Sequence, residues 1–419
     1  MNAAVRVGGS PGGDVESPTV GGYARGYLDR LRAGEMGSLP AVFALLILGI
    51  TFSVMKPVFL TALNFANLFT QGAAVTVIAM GLIFVLLLGE IDLSAGFASG
   101  VCAAVLAVLL VDHHWPWYLA ILGALSVGAM IGTVLGLLVT KIGIPSFVVT
   151  LAAFLAFQGI ALLLIKGGQN VTVSDPAIKI INYDGKLPPS WGWLLYAVSV
   201  LAYAGVQLVR RHNRAEKGLS IDPLLIVALR VLGIAGVFGS AVYVLNLERG
   251  RNPLISQRGV PVVVVIIAGL LLFWAFVLDR TAYGRHIYAV GGNREAARRA
   301  GINVDRIRVS VFVVCSTMAA FGGVIAASQA QSVDANTGGS NVLLYAVGAA
   351  VIGGTSLFGG KGRVLDAVLG GAVVAVINNG MGLMGYSSGI KFIVTGSVLL
   401  LAACVDALSR RRASDAGLR

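Results

Sequence analysis

Two carboxylates, Glu90 and Asp92, stand in the run Gly89-Glu-Ile-Asp-Leu-Ser94, directly after a long apolar stretch. Acids so close to lipid are functional suspects, because an ionised side chain at the bilayer centre costs roughly 3 kcal/mol or more. Two functions suit them: a proton or cation site, or a hydrogen-bonding contact on the route of a polar solute. The structural alternative puts both at the membrane interface, with Asp92 or Ser94 capping the next helix. No nucleophile and no metal cluster accompanies the pair, so it offers no catalytic chemistry.

A second segment, Gly353-Gly-Thr-Ser-Leu-Phe-Gly-Gly-Lys-Gly-Arg363, superficially suggests a phosphate loop. It fails that pattern: Thr355 stands where the first glycine is needed, and Gly362 follows Lys361 in place of Ser or Thr. Tight packing, or a broken helix whose backbone lines a polar route, fits Gly353 and Gly354 better. Gln158, Asn378 and Asn379 are amides inside apolar stretches. They either bond neighbouring helices or line a passage for a neutral, hydroxyl-rich solute. Arg230 snorkels or pairs with another segment. His113 and His114, beside Trp115, Trp117 and Tyr118, read as an aromatic interface cluster rather than a metal site.

These residues need rigid carriers, and composition says which. The chain has 419 residues, 57% hydrophobic and only 12% charged, with a mean hydropathy of +0.86. A soluble domain carries about twice that charged fraction. Apolar runs of about 17–25 residues match the ~30 Å hydrocarbon core, and continuous runs select helices over a barrel. The 55 glycines suit close helix approach. Cys102, Cys315 and Cys404 lie in apolar segments with neither pair nor metal spacing, and read as small buried hydrophobes. No removable signal peptide is expected.

The expected fold is all-α: a polytopic membrane protein with spans near 40–57, 71–89, 94–111, 116–140, 146–165, 191–209, 224–247, 260–279, 307–330, 342–358, 364–385 and 390–408. Residues 1–35 form a flexible tail, 36–412 the membrane domain and 413–419 a C-terminal tail. Lysine and arginine concentrate on the cytoplasmic side of membranes. With the N-terminus inside, the inward segments hold 22 of the 31 Lys and Arg and the outward segments eight, leaving Arg230 within a span. Both termini are therefore expected in the cytoplasm of a multi-pass cell-membrane protein. The net charge of +12 fits an anionic inner leaflet, and nucleic acid is not needed to explain it.

The most basic loop, 280–306, falls on the cytoplasmic face. Asn293 can cap a short helix from Arg294 to Ala300, with Gly301 ending it. Glu295 and Arg299, four apart, can pair. Such a helix is either a solvated connector held to lipid headgroups or a grip for a partner.

Three ordered segments carry a resemblance. The run Gly291-Gly-Asn-Arg-Glu-Ala-Ala-Arg-Arg-Ala-Gly-Ile-Asn-Val, the acidic motif at 89–94 and the glycine-rich segment at 351–363 resemble the permease subunits of monosaccharide ABC importers, over about residues 40–410. The resemblance implies a ten-span core. Here two further apolar runs at about 190–257, joined by Arg210-Arg-His-Asn-Arg214, make about twelve. Xylose-type permeases look like this, and an even insertion preserves the topology downstream.

By the same resemblance the 280–306 loop holds a coupling helix that docks on a separate cytoplasmic ATPase subunit. Glu295, Arg298 and Arg299 would make surface contacts, Ala296, Gly301 and Ile302 would be packing positions, and Gly292 and Asn293 belong to the same coupling set. Glu90, Asp92, Ser94, Gln158, Gly353, Gly354, Asn378 and Asn379 are candidates for translocation or gating. The chain itself is expected to hold no cofactor and no metal, with ATP and magnesium on the ATPase. An extracytoplasmic sugar-binding protein and a second permease copy would complete the assembly. D-xylose is the expected cargo, with ribose, arabinose or galactose as alternatives. A proton-coupled secondary transporter using Glu90 or Asp92 and a cargo-free membrane scaffold are the rival classes. Five core spans before the insertion and five after it would make oppositely oriented halves.

Overall fold

The computed structural model describes residues 37–219, 221–250 and 256–415. The expected tail at 1–35 lies outside them, as does most of 413–419. Fifteen α-helices dominate the described residues. Eight of them are long and apolar enough to cross a membrane, and four shorter apolar ones accompany them.

In chain order α1 is Leu39–Met55, α2 Ala62–Leu87, α3 Ala95–Val111, α4 Trp117–Leu137 and α5 Ser146–Leu164. The strand β1 (Val171–Thr172), α6 (Pro176–Asn182) and β2 (Lys186–Leu187) precede α7 (Pro189–Glu216) and α8 (Leu224–Asn246). Then come β3 (Val260–Pro261), α9 (Val262–Arg280), α10 (Ala282–Gly292), α11 (Arg294–Arg299) and α12 (Val304–Ala330). The chain closes with β4 (Ser332–Val333), α13 (Ser340–Gly353), α14 (Val364–Leu383) and α15 (Ser388–Asp415). Every expected span has its helix.

Boundaries differ where polar chemistry overrides hydropathy. The second span was expected from 71, but α2 starts nine residues earlier. Thr61 caps it by accepting from the Asn64 amide, and the Asn64 side chain finds partners across the bundle. The span expected at 342–358 stops at Gly353, because Gly354 takes φ +115° and turns the chain. The turn expected at 89–94 is a true break: Gly89 takes φ +68° and residues 88–94 run between α2 and α3. α7 continues past its expected end at 209 to Glu216, carrying the basic run out on a helix.

The core forms around α2 and α12, which pack on each other. α12 also packs on α3 and α4, while α2 packs on α13 and α14, so each half embraces the other's long helix. The two loops that start the short helices α3 and α13 share a device. Asp92 accepts from the Ser94 amide, and Asp334 accepts from the Asn336 amide, each two residues on. This mutual arrangement accords with two related halves. The inserted pair differs: α7 and α8 pack mainly on each other, touching α2 near Ala66 and Leu245.

Loops that the basic count assigns to one face also meet at one end of the bundle. Gly360 donates to Leu87 and Tyr288 to Gly362 there. At the other end β1 pairs with β4, β2 pairs with β3, and Asn182 bonds Ser328.

Candidate functional site

At the basic end three glycine-rich segments converge. A Cβ on Gly291 would lie 1.9 Å from the Leu87 carbonyl oxygen, and one on Gly359 would lie 3.1 Å from that of Gly291. Only glycine permits this approach, and Gly359 and Gly360 also hold φ of +86° and +74°. The backbone of α10 thus seats directly against the α2–α3 joint and the 354–363 turn.

Charge locks the same junction. Glu90 is buried, and its Oε1 accepts from Arg294 at 2.7 Å and from Arg308 at 2.6 and 2.9 Å. Arg294 also donates to the Leu88 carbonyl. One carboxylate thereby ties the start of α11 and the first turns of α12 to the end of α2. A carboxylate satisfied by two guanidinium groups is a structural clamp, since its removal leaves two cations facing each other uncompensated. Asp92, also buried, accepts from the Ser94 amide and hydroxyl at 2.8 and 2.7 Å and from the Cys315 thiol. It caps α3, while the Ser94 side chain makes no capping bond of its own.

α10 was not foreseen as a separate helix. Thr281 caps it, Gly284, Ile287 and Val290 are its buried stripe, and Tyr288 donates to the Gly362 carbonyl at 2.8 Å. Burial first, then the carboxylates of Asp279 and Asp366, pushes the Tyr288 hydroxyl up to about 12, so it stays a donor throughout the physiological range. Asn293 then caps α11 by accepting from the Ala296 amide at 2.9 Å, and Gly301 follows at φ +82°.

On α11 the inward residue is Ala297; Ala296, expected as a packing position, is exposed. A helix this short can bury one narrow stripe, and the Asn293 cap turns Ala297 into it. Gly301 is exposed and Ile302 half-buried. Glu295 pairs loosely with Arg298 at 3.9 Å and Arg299 at 3.4 Å, all three largely exposed. Such surface pairs contribute well under about 1 kcal/mol and leave these groups available to another surface. Gly292 is exposed at the junction between α10 and α11.

The remaining candidates lie elsewhere. Gly353 packs where a Cβ would sit 1.8 Å from the Asp366 carbonyl, and Gly354 abuts Gly37, so both belong to close packing at the end of α13. Asn379 exchanges two 2.9 Å hydrogen bonds with Asn64 and donates to Gln71, making an amide cluster between α14 and α2. Asn378 is half-buried beside it, and Gln158 is exposed on the outer face of α5. The structure therefore gathers Glu90, Asp92, Ser94, Gly292, Asn293 and the α11 residues at one end, and leaves Gln158, Asn378 and Asn379 apart from them.

Similarity to known proteins bears on what this end serves. The family described as "Branched-chain amino acid transport system / permease component" matches residues 64–403. The chain belongs to this permease family. The xylose transport system permease protein of Escherichia coli K12 is 36% identical over 395 residues, covering 94% of this chain and 96% of that protein. Its Haemophilus influenzae counterpart is 31% identical over 354 residues, covering 84% and 91%. The ribose import permease protein of Escherichia coli K12 is 31% identical over 392 residues, covering 94% and 99%. No solved structure matches the chain.

For a multi-pass permease, the residues sequence reasoning missed are Arg294, Arg308 and Tyr288. A buried Glu90 demands a cation, which was a legible signal. The loop 280–306 and its flank offer seven arginines, and only packing selects two of them.

Proposed function

We propose that this permease forms the membrane passage of an ATP-driven monosaccharide importer, with D-xylose as its cargo. The observation that carries the reading is the Glu90–Arg294–Arg308 clamp. It makes α10 and α11 one rigid body with the ends of α2 and α12, the two most central helices. A push on the exposed face of α11 would therefore reach the core without passing through flexible chain. A separate ATPase on the cytoplasmic side, loaded with ATP and magnesium, supplies that push. A sugar-binding protein delivers cargo to the opposite end, two permease copies frame the passage, and both termini face the cytoplasm. The chain does no covalent chemistry.

The sugar reading rests on relatives named for xylose and ribose that align over nearly their whole length. The family description names branched-chain amino acids, which makes these the cargo to test against. The proton-coupled alternative loses support because Glu90 is engaged by two arginines and Asp92 caps a helix.

The test is uptake into vesicles containing the permease, its ATPase and its binding protein. Labelled xylose should enter only with ATP, and faster than ribose, arabinose, galactose or leucine. Uptake that survives ATP depletion and collapses with a protonophore would replace this reading. Ala296→Glu, at an exposed position, should leave the protein inserted yet cut ATP-driven uptake at least tenfold; normal uptake would remove α11 from the coupling route.

A further inference from the structure

Between the free ends of α7 and α8 lies a cavity of about 420 Å³ that the transport reading does not use. Arg210, Arg211, Arg214, Lys217 and Arg230 line it, and Asp222 is the only carboxylate among the lining residues. Arg230 pairs with Asp222 at 2.9 Å, and Arg211 donates to the Asp222 carbonyl. With Asp222 so matched, Arg210, Arg214 and Lys217 face the cavity as surplus positive charge. The other nearby acid, Glu216, pairs with His212.

The height of the cavity in the membrane follows from helix geometry. Trp191 and Trp193 stand on the first turn of α7, where aromatic side chains mark an interface. From Trp191 to Arg210 the helix rises about 29 Å, close to the ~30 Å of hydrocarbon. The arginines thus emerge at headgroup level on the opposite side. Arg230 begins about one and a half turns into α8 and reaches back to Asp222, as a snorkelling residue does. The flanks of the same two helices are bare apolar surface, with Leu208, Val209, Leu225 and Leu229 all more than half exposed. A positively charged cavity at headgroup level, on helices whose flanks face hydrocarbon, matches the anionic head of a lipid.

We infer that this cavity binds the phosphate of an anionic phospholipid and fastens the α7–α8 hairpin to that leaflet. The cavity's height at the headgroup level sets lipid apart from free phosphate, because a lipid phosphate is held at that depth by its own tails.

The test is native mass spectrometry of the full chain released from membranes containing phosphatidylglycerol and phosphatidylcholine. A basic residue near an anionic surface changes affinity roughly fivefold, so Arg210→Gln/Arg214→Gln/Lys217→Gln should weaken phosphatidylglycerol retention about 100-fold. Phosphatidylcholine retention should not change, and neither should Lys56→Gln, an exposed cation at the other end. Thermal unfolding of each variant checks that the fold is kept, as expected for exposed side chains. Equal phosphatidylglycerol retention by the triple variant and the parent overturns the inference. Displacement of the lipid by millimolar inorganic phosphate would assign the cavity to a soluble anion instead.

Discussion

Where α4 crosses α12, a Cβ added to Gly132 would lie 2.4 Å from the Phe312 carbonyl oxygen and 2.5 Å from the Val313 Cα. At Gly236, midway along α8, nothing lies within 4 Å. The contrast holds for the helices as wholes: in its apolar window α2 is 78% buried, while α7 and α8 are 6% buried. Yet all three have hydropathies suited to spanning. In lipid, apolarity gets a helix inserted and says nothing of its neighbours; small residues and polar pairs decide which helices approach. The core is therefore a stapled unit that can transmit force, and the hairpin is an attachment on its flank.

The sharpest way to break that comparison is a matched pair of substitutions. Gly132→Leu forces a side chain into backbone, beyond the about 1–3 kcal/mol typical of overpacking, and should abolish a folded, monodisperse permease. Gly236→Leu should leave the melting temperature within about 2 °C, as for other surface changes. Similar losses at both sites would show the hairpin to be as tightly packed as the core.

Next in size is the clamp. Glu90→Gln should lower stability by a part of the about 3–5 kcal/mol that breaking a buried pair costs, because Arg294 is 45% exposed and partly solvated. It should cut ATP-driven uptake at least tenfold while the ATPase subunit still binds. A double-mutant cycle with Arg308→Gln should give a coupling energy above about 1 kcal/mol. Additive losses would mean that the two side chains do not act together.

A smaller effect is expected from removing the hairpin altogether. Asn246 reaches the Pro189 carbonyl, so the two ends of the pair lie side by side. Replacing residues 189–246 by a short flexible linker should keep insertion and uptake within about twofold. Loss of all uptake would place the hairpin inside the transport machinery.

The smallest effect concerns the loop that follows the hairpin. Glu248 accepts from the Gln257 and Gly250 amides, Ser256 and Arg258, which holds its carboxyl down at about 2 against an ordinary 4.5. A depressed value means that the contacts of Glu248 are favoured above pH 4.5, and that this preference fades as the pH falls toward 2. Hydrogen exchange at the Gln257 amide should quicken in that window, relative to intrinsic rates, and Glu248→Gln should flatten the response. A pH-independent exchange ratio in the parent would disprove the contact.

Much of this was legible beforehand. Long apolar runs name spans directly, because hydrocarbon leaves the backbone no partner but itself. Asn293 and Gly301 mark the ends of α11 through local chemistry alone. Less legible was α2's early start, since Asn64 and Gln71 dilute its hydropathy and find a shared partner in Asn379, more than 300 residues away. The amphipathic α10 was invisible for a related reason: its buried stripe of Gly284, Ile287 and Val290 has meaning only against the segments it covers.

Sequence alone determined the apolar helices, the basic end and the capped helix on it, because apolar runs, charge bias and capping each depend on neighbouring residues. Tertiary structure decided which arginines hold Glu90, that Ala297 rather than Ala296 turns inward, and that Asn379 bonds Asn64 and Gln71 across the bundle. Those outcomes depend on which surfaces meet across the bundle, where contacts of about 3 Å separate residues that the chain keeps hundreds of positions apart.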